Sequence, residues 1–317
     1  MPPFKKLLIH ILFLIFLIFL PFGATSAQQI PASPVSYRIF SPLVHNPAIA
    51  GSKDFFSTDL IAGFEGKNYS QLLSGNVRIM KRAPGYTLSS KTVRYTNFGV
   101  GGAAFNEMND SLQSSGISAI FSYHIPLNKS SLSFLSLGVS GKGMYHRVKE
   151  SEPAKEFLFP NTDVGIYYYN PSLYAGISAT NLLPPPKDTA TLNPHSIPVS
   201  RQYNFIAGYK FVLSRSLKLV LEPSVIISTD DSLSFNIKEN IEPMLKLYAA
   251  NFCLGTYFND YNKVSFFFQY KYPKFYIGTF FALPRDTPFY KKSMTAEIAF
   301  GINFSRNKSG FTEYGHW

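Results

Sequence analysis

Thr162-Asp163-Val164-Gly165-Ile166-Tyr167-Tyr168-Tyr169-Asn170-Pro171-Ser172-Leu173-Tyr174-Ala175-Gly176-Ile177-Ser178-Ala179-Thr180-Asn181-Leu182 holds two runs of β-forming residues joined at a short Asn170-Pro171 turn. In the second run Leu173, Ala175, Ile177 and Ala179 fall on one face, and Tyr174, Gly176, Ser178 and Thr180 on the other. The period is two, with one face apolar and the other polar or small. A helix would mix the two sets.

The same pattern recurs to the C-terminus. Odd positions of 115–125 include Ile117, Ala119, Phe121, Tyr123 and Ile125, against Gly116, Ser118, Ser122 and His124. Leu135, Leu137 and Val139 oppose Ser136, Gly138, Ser140 and Lys142; Leu217, Leu219, Leu221, Val225 and Ile227 oppose Lys218, Glu222 and Ser224. Strand candidates follow one another from 55–65 to 293–304, roughly 14 in all at lengths near ~10 residues that suit tilted membrane strands. The hairpin is read as 162–170 and 172–182, 202–213 as one strand, 233–240 as a strand, and 244–259 as one long strand or two. Charged residues on the minor face suit a wet lumen and would be costly against lipid.

Ahead of the strands the chain opens with Lys5-Lys6, an apolar stretch from Leu7 to Leu20, and Ala24-Thr25-Ser26-Ala27. This is the layout of a cleaved signal peptide over 1–27, and the stretch is short for a spanning helix. No Cys follows it, so lipoprotein processing is not indicated. Of the 317 residues, 16% are aromatic (Phe 30, Tyr 20, Trp 1) and 15% charged. A transmembrane β-barrel accounts for aromatic girdles together with a polar or small lumen face. A soluble sandwich would also alternate. The expected fold is therefore all-β, a single antiparallel transmembrane β-barrel of roughly 14 strands. It divides into the signal peptide 1–27, an N-terminal extension 28–54, the barrel 55–304 and a C-terminal tail 305–317.

The formal charge of +11 becomes +9 once Lys5 and Lys6 leave with the signal peptide. The basic residues are scattered along the chain. Their excess can face lumen water, anionic headgroups or an acidic partner; no nucleic-acid partner is expected of an exported chain. The connectors at Asn170-Pro171, Ser214-Arg215 and Asn259-Asp260-Tyr261 are short, like periplasmic turns. Residues 149–161 and 183–201 read as long connectors, the extracellular kind, and Pro184–Pro186 as a stiff extended run.

No residue set calls for catalysis. His10, His45, His124, His146, His195 and His316 are not at metal-ligand spacing with one another or with a Cys. There is no Gly-x-Ser-x-Gly elbow. Gly99-Val100-Gly101-Gly102 lies in an alternating strand with no helix after it and reads as small residues on a crowded barrel face. Asp230-Asp231 reads as a turn. Cys253 is the only cysteine, so it forms no internal disulfide, and it reads as a small buried hydrophobe.

Ser41-Pro42-Leu43-Val44-His45-Asn46-Pro47-Ala48-Ile49-Ala50-Gly51-Ser52 resembles the N-terminal signature of the PorP/SprF family of type IX secretion system outer-membrane proteins, an Asn-Pro-Ala-x-Ala-Gly segment. In order, Phe98–Gly102, Asn106–Asp110, Gly116–Leu127, Val164–Leu183, Leu221–Val225, Ser234–Ile237 and Glu297–Phe304 resemble further family segments. The chain departs from the family around Glu65–Gln71, where a Trp and a Gly-Ala-Pro turn are usual, and in its extension beyond Phe304; Phe304 or Trp317 could supply the closing aromatic.

The resemblance implies an outer-membrane barrel of type IX secretion or the gliding motility linked to it. It implies support for export or surface attachment of a large adhesin-like substrate, through periplasmic ring or peptidoglycan-linked components. It implies neither enzymatic activity nor a cofactor. The candidate site is Asn46, Pro47, Ala48, Ala50, Gly51 and Ser52, expected to plug or cap the barrel or to dock a periplasmic partner. Pro47 cannot donate a strand hydrogen bond, and Ala48, Ala50 and Gly51 permit close packing. The plainer alternative is a compact turn that starts the barrel. An outer-membrane channel for small hydrophobic or nutrient solutes is the alternative function.

Overall fold

The computed structural model describes residues 35–53, 55–66, 68–81, 94–109, 112–128, 131–148, 155–183, 201–230, 240–258, 263–271, 275–284 and 294–304. The signal peptide, residues 28–34, the Pro184–Pro186 run, the 233–239 part of one strand candidate and the 305–317 tail lie outside the described residues. A short helix α1 (Val35–Phe40) and two 3-10 turns, Pro42–Val44 and Pro47–Ile49, precede the strands. These are β1 (Phe56–Glu65), β2 (Asn68–Lys81), β3 (Arg94–Met108), β4 (Leu112–Asn128), β5 (Ser133–Val148), β6 (Lys155–Tyr169), β7 (Leu173–Thr180) and β8 (Gln202–Tyr209). They continue as β9 (Phe211–Ser214), β10 (Leu219–Asp230), β11 (Ile241–Ala249), β12 (Phe252–Tyr257), β13 (Lys263–Lys271), β14 (Phe275–Pro284) and β15 (Thr295–Phe304).

Each strand pairs antiparallel with its neighbour, β10 pairs with β11, and β1 pairs with β15, from Phe56 opposite Phe304 to Glu65 opposite Thr295. The sheet thus closes on itself and leaves no edge to manage. β8 and β9 both lie along β10 and form one interrupted strand, so the fifteen segments make a barrel of fourteen. The interruption has a cause. It falls at Lys210, whose amide turns away to donate to the Ser172 carbonyl at 2.7 Å. The facing residues of β10 are Glu222 and Pro223, between the pairs Leu221–Phe211 and Ser224–Gly208. Pro223 has no N–H to offer across the gap.

The side chains are sorted inside out relative to a water-soluble fold. In β1, Ser57, Asp59 and Ile61 are buried while Phe56, Leu60 and Phe64 face outward. In the opening hairpin Ile177 is exposed and Ser178 and Thr180 are buried, the split read from the alternation. Ile117 is 69% exposed while Asp59 is 1% exposed. A barrel with Leu, Ile and Phe outside and Ser, Asp and His inside is stable only when hydrocarbon surrounds it.

Two expectations are corrected, and one left open between two readings is settled. β6 begins at Lys155, so much of the 149–161 stretch is strand. Pro160 is tolerated there because pairing between β6 and β7 starts only at Val164, which leaves Pro160 with one strand neighbour, at Gly143. The 244–259 stretch is two strands, turned at Ala250 with φ +50°. Finally, antiparallel order puts alternate connectors at opposite ends. At one end, the short-turn end, β2 leads to β3, β4 to β5, β6 to β7, β9 to β10, β11 to β12 and β13 to β14. At the other, the long-loop end, β1 leads to β2, β3 to β4, β5 to β6, β7 to β8, β10 to β11, β12 to β13 and β14 to β15. Asn259-Asp260-Tyr261 lie outside the described residues, and the strand ends that they link, Tyr257 and Lys263, are at the opposite end from Asn170-Pro171 and Ser214-Arg215.

Candidate functional site

The barrel's interior is occupied by its own N-terminal segment. The segment enters at the long-loop half. The Ser36 amide donates to Glu297 Oε2 at 2.9 Å, and Arg38 forms an ion pair with Glu242 and donates to the Tyr257 hydroxyl at 3.0 Å. Glu297 and Glu242 lie near the long-loop ends of β15 and β11. Phe40 then stacks on Tyr276 at 5.9 Å between ring centroids and meets the edge of Phe267 at 6.4 Å. With Tyr37, Phe40 and Tyr276 join Ile61, Leu72 and Ala299 in one apolar cluster, and Phe267 belongs to a second.

Below α1 the chain folds into the two 3-10 turns, each opened by a proline whose missing N–H is not needed there. Asn46 caps the second turn: its Oδ1 accepts from the Ala48 amide at 3.0 Å. The same side chain holds the wall. Its Nδ2 donates to the carbonyls of Ile166 (3.2 Å) and Ile177 (3.3 Å), a directly opposed pair on β6 and β7. The Ser178 hydroxyl donates to the His45 carbonyl at 2.6 Å. Glycine makes the approach possible. A Cβ on Gly138 would stand 2.2 Å from the Ala48 nitrogen, and one on Gly165 2.1 Å from Asn46 Oδ1. Gly138 and Gly165 face each other across β5 and β6.

On the opposite flank, Ala50 and Gly51 are fixed by β2 and β4. The Ser122 hydroxyl donates to the Ala50 carbonyl at 2.6 Å, with His124 Nε2 2.9 Å from the same oxygen. A carbonyl only accepts, so Nε2 carries the proton and Nδ1 accepts from the Tyr169 hydroxyl at 3.0 Å. Arg78 donates to that hydroxyl at 3.4 Å and lies 4.6 Å from the Phe134 ring centroid. Gly51 adopts φ +71° and donates to Asn76 Oδ1 at 3.1 Å.

All six motif residues from Asn46 to Ser52 thus belong to a compact double turn inside the barrel, where Asn46, Pro47, Ala48 and Ala50 are fully enclosed. The alternation read from sequence put His124 and Gly138 on the minor face without marking them as partners of the motif, and it assigned no face to Asn76 or Gly165. The available signal was Gly138, Gly165 and Gly176 recurring at inward positions of three successive strands.

Several charged groups inside the barrel are paired. Lys142 meets Asp163 at 2.8 Å, and Lys246 meets Glu222 at 3.2 Å. His45 is held as neutral imidazole, its pKa lowered from 6.5 to about 3 by burial and then by the charges of Arg38 and Lys142. Its Nε2 has no hydrogen-bond partner. Among the described residues no three His, Cys, Asp or Glu side chains gather to hold a metal ion. Cys253 is buried among Val220, Met244 and Tyr257. The contacts engage peptide carbonyls of the segment and of the barrel wall.

Two solved outer-membrane proteins resemble the chain in shape. Omp33 of Acinetobacter baumannii is 9% identical, with 80% of this chain and 100% of that chain covered, at a TM-score of 0.40. BamA of Haemophilus ducreyi is 12% identical, with 80% of this chain and 70% of that chain covered, at a TM-score of 0.38. No curated protein matches. Residues 26–302 match the family described as type IX secretion system membrane protein PorP/SprF; with that match over nearly its whole length and its outward apolar belt, the chain belongs to the PorP/SprF family and is an outer-membrane β-barrel.

Proposed function

We propose that this protein is a plugged platform of the type IX secretion and gliding machinery. It holds partners on both sides of the outer membrane and supports export or surface attachment of a large adhesin-like substrate. The short-turn end faces the periplasm and the long-loop end the cell surface, following the usual asymmetry of such barrels. The observation that carries this reading is the occupied lumen. Residues 36–51 run from the long-loop half to the short-turn half and are bonded to strands on opposite walls. A solute channel needs that space, and a platform does not. The family supports a secretion role over solute uptake.

Affinity purification of the tagged full-length protein from outer membranes tests the proposal. Identified type IX ring or peptidoglycan-linked components should co-purify in stoichiometric amounts. Recovery of the barrel without any of them refutes the platform reading. Replacing Asn46-Pro47 by Ala-Ala separates plug from dock. Unchanged partner recovery on a normally assembled barrel means that the motif does not itself dock a partner.

A further inference from the structure

Barrel closure removes free edges only over the height that neighbouring strands share. β5 and β6 pair as far as Val148 opposite Lys155, whereas β7 leaves β6 at Val164. Between these levels the wall is stepped. The exposed flank of β6 is capped for a short way. The Leu182 amide donates to the Thr162 carbonyl at 3.0 Å, and Asn161 Oδ1 accepts from the Leu183 amide at 3.2 Å and the Thr162 amide at 2.8 Å. There the capping stops.

Thr162 sets the direction of the backbone above it. In an antiparallel ladder alternate residues turn their N–H and C=O to the same side. The Thr162 carbonyl points toward β7, so the carbonyls of Pro160, Leu158 and Glu156 do as well. Phe157 and Phe159 turn theirs to β5, opposite His146 and Met144. Pro160 has no N–H to leave bare. The Leu158 and Glu156 amides and those three carbonyls therefore form a strand edge with no partner among the described residues.

The outer surface here is polar. From Leu158 the successive neighbours on β5, β4, β3 and β2 are Tyr145, Ser115, Asn106 and Gln71. The Ser115 hydroxyl donates to Asn106 Oδ1 at 2.7 Å. One row farther out Glu156 meets Arg147 at 3.5 Å, both about half exposed. Prolines and charges commonly blunt a free edge, and Pro160 and Glu156 fit that use. Leu158 does not. It is 81% exposed, the highest value of any large hydrophobic among the described residues, and it offers apolar area to whatever pairs with the edge.

We infer that Glu156–Pro160 is a docking edge, where an extended segment of a protein held at the long-loop end adds as an antiparallel strand in line with β7. This rests on the platform reading and gives its outer partner a site and a chemistry. Register sets the segment's pattern. Running from Pro160 toward Glu156, it places an apolar residue opposite Leu158. Two residues later it places a basic one opposite Glu156, which Arg147 engages from the β5 side.

The test uses the full-length protein in detergent and a fluorescent peptide of that pattern, Thr-Val-Thr-Ile-Thr-Lys-Thr. Wild type should bind it and should not bind the same peptide N-methylated at alternate residues, which cannot pair as a strand. Leu158→Pro removes an edge N–H while leaving the β5 pairing intact, and should weaken binding by about tenfold or more. Glu156→Lys should weaken it several-fold and bind better the peptide with Glu in place of Lys. Heat-modified gel mobility verifies that each barrel is folded. The inference is overturned if the peptide does not bind, if N-methylation makes no difference, or if Leu158→Pro binds as wild type does. It is equally overturned if the Leu158 amide is already protected from hydrogen exchange in the protein alone, which would assign the edge to the chain itself. A wild-type dimer that Leu158→Pro abolishes would assign it to a second copy and also overturn the inference. Type IX components that co-purify with wild type while the peptide fails to bind would sink this inference and leave the platform reading standing. Their absence from wild type would sink the platform reading instead.

Discussion

Asn46 is asked to do two things at once, and two substitutions separate them. Asn46→Ala removes the turn cap, worth about 1 kcal/mol. It also removes two neutral hydrogen bonds to the Ile166 and Ile177 carbonyls, each about 0.5–1 kcal/mol at these distances of 3.2 and 3.3 Å. The segment should be loosened by about 2–3 kcal/mol, a shift of roughly 30- to 150-fold in its opening equilibrium. The barrel wall should be untouched, because neither carbonyl's strand depends on the side chain. Asn46→Asp keeps an oxygen for the Ala48 amide and is as good a cap. It turns a carboxylate oxygen toward two carbonyl oxygens, so it should loosen the segment at least as much as Ala. Hydrogen–deuterium exchange of residues 36–51 in folded protein reads this out, with strand amides as the internal standard. Asp behaving like wild type while Ala exchanges faster would mean that Asn46 caps a turn and clamps nothing. No change in either variant would refute the account of how the segment is held.

Other expectations follow from the same contacts. Gly165→Ala forces a Cβ to 2.1 Å from Asn46 Oδ1 and should destabilise the plugged form by about 1–3 kcal/mol, while Gly141→Ala, with nothing within 4 Å, should be near neutral in the same exchange assay. Acid should loosen the segment. The folded pKa of His45, about 3, lies below its ordinary 6.5, so the released state binds the proton more readily. The stabilisation is whole above pH 6.5 and is lost as pH falls from there toward 3; exchange of residues 36–51 should quicken at pH 4.5, and less so in His45→Gln. On the outer face, Ile117→Arg should cost about 2–4 kcal/mol in refolding into lipid, and Leu158→Arg, at a strand end beyond β7, about 0–1 kcal/mol. Equal effects would contradict the placement of the lipid band.

The wall of the barrel was legible because its signal is local. Leu173 to Thr180 alternate within one strand, and the two faces need no distant information. What failed needed register. Pro153 and Pro160 read as loop, yet Pro160 sits where β6 has one neighbour. The break between β8 and β9 follows from Pro223 on the adjoining strand and is invisible within 202–213. The lumenal plug depends on contacts such as Ser36 to Glu297, 261 residues apart, with no periodicity to announce them. The motif at Asn46–Ser52 was visible as a pattern, but its place required the glycines that make room for it.

The central claim is that the lumen is filled by the chain's own N-terminal segment. Single-channel recording of the full-length protein in planar bilayers tests it most directly. Wild type should pass no steady porin-like current, and Asn46→Asp should show intermittent openings from the same folded barrel. A steady open current through wild type, unaltered by Asn46→Asp, would contradict the account and favour a solute channel.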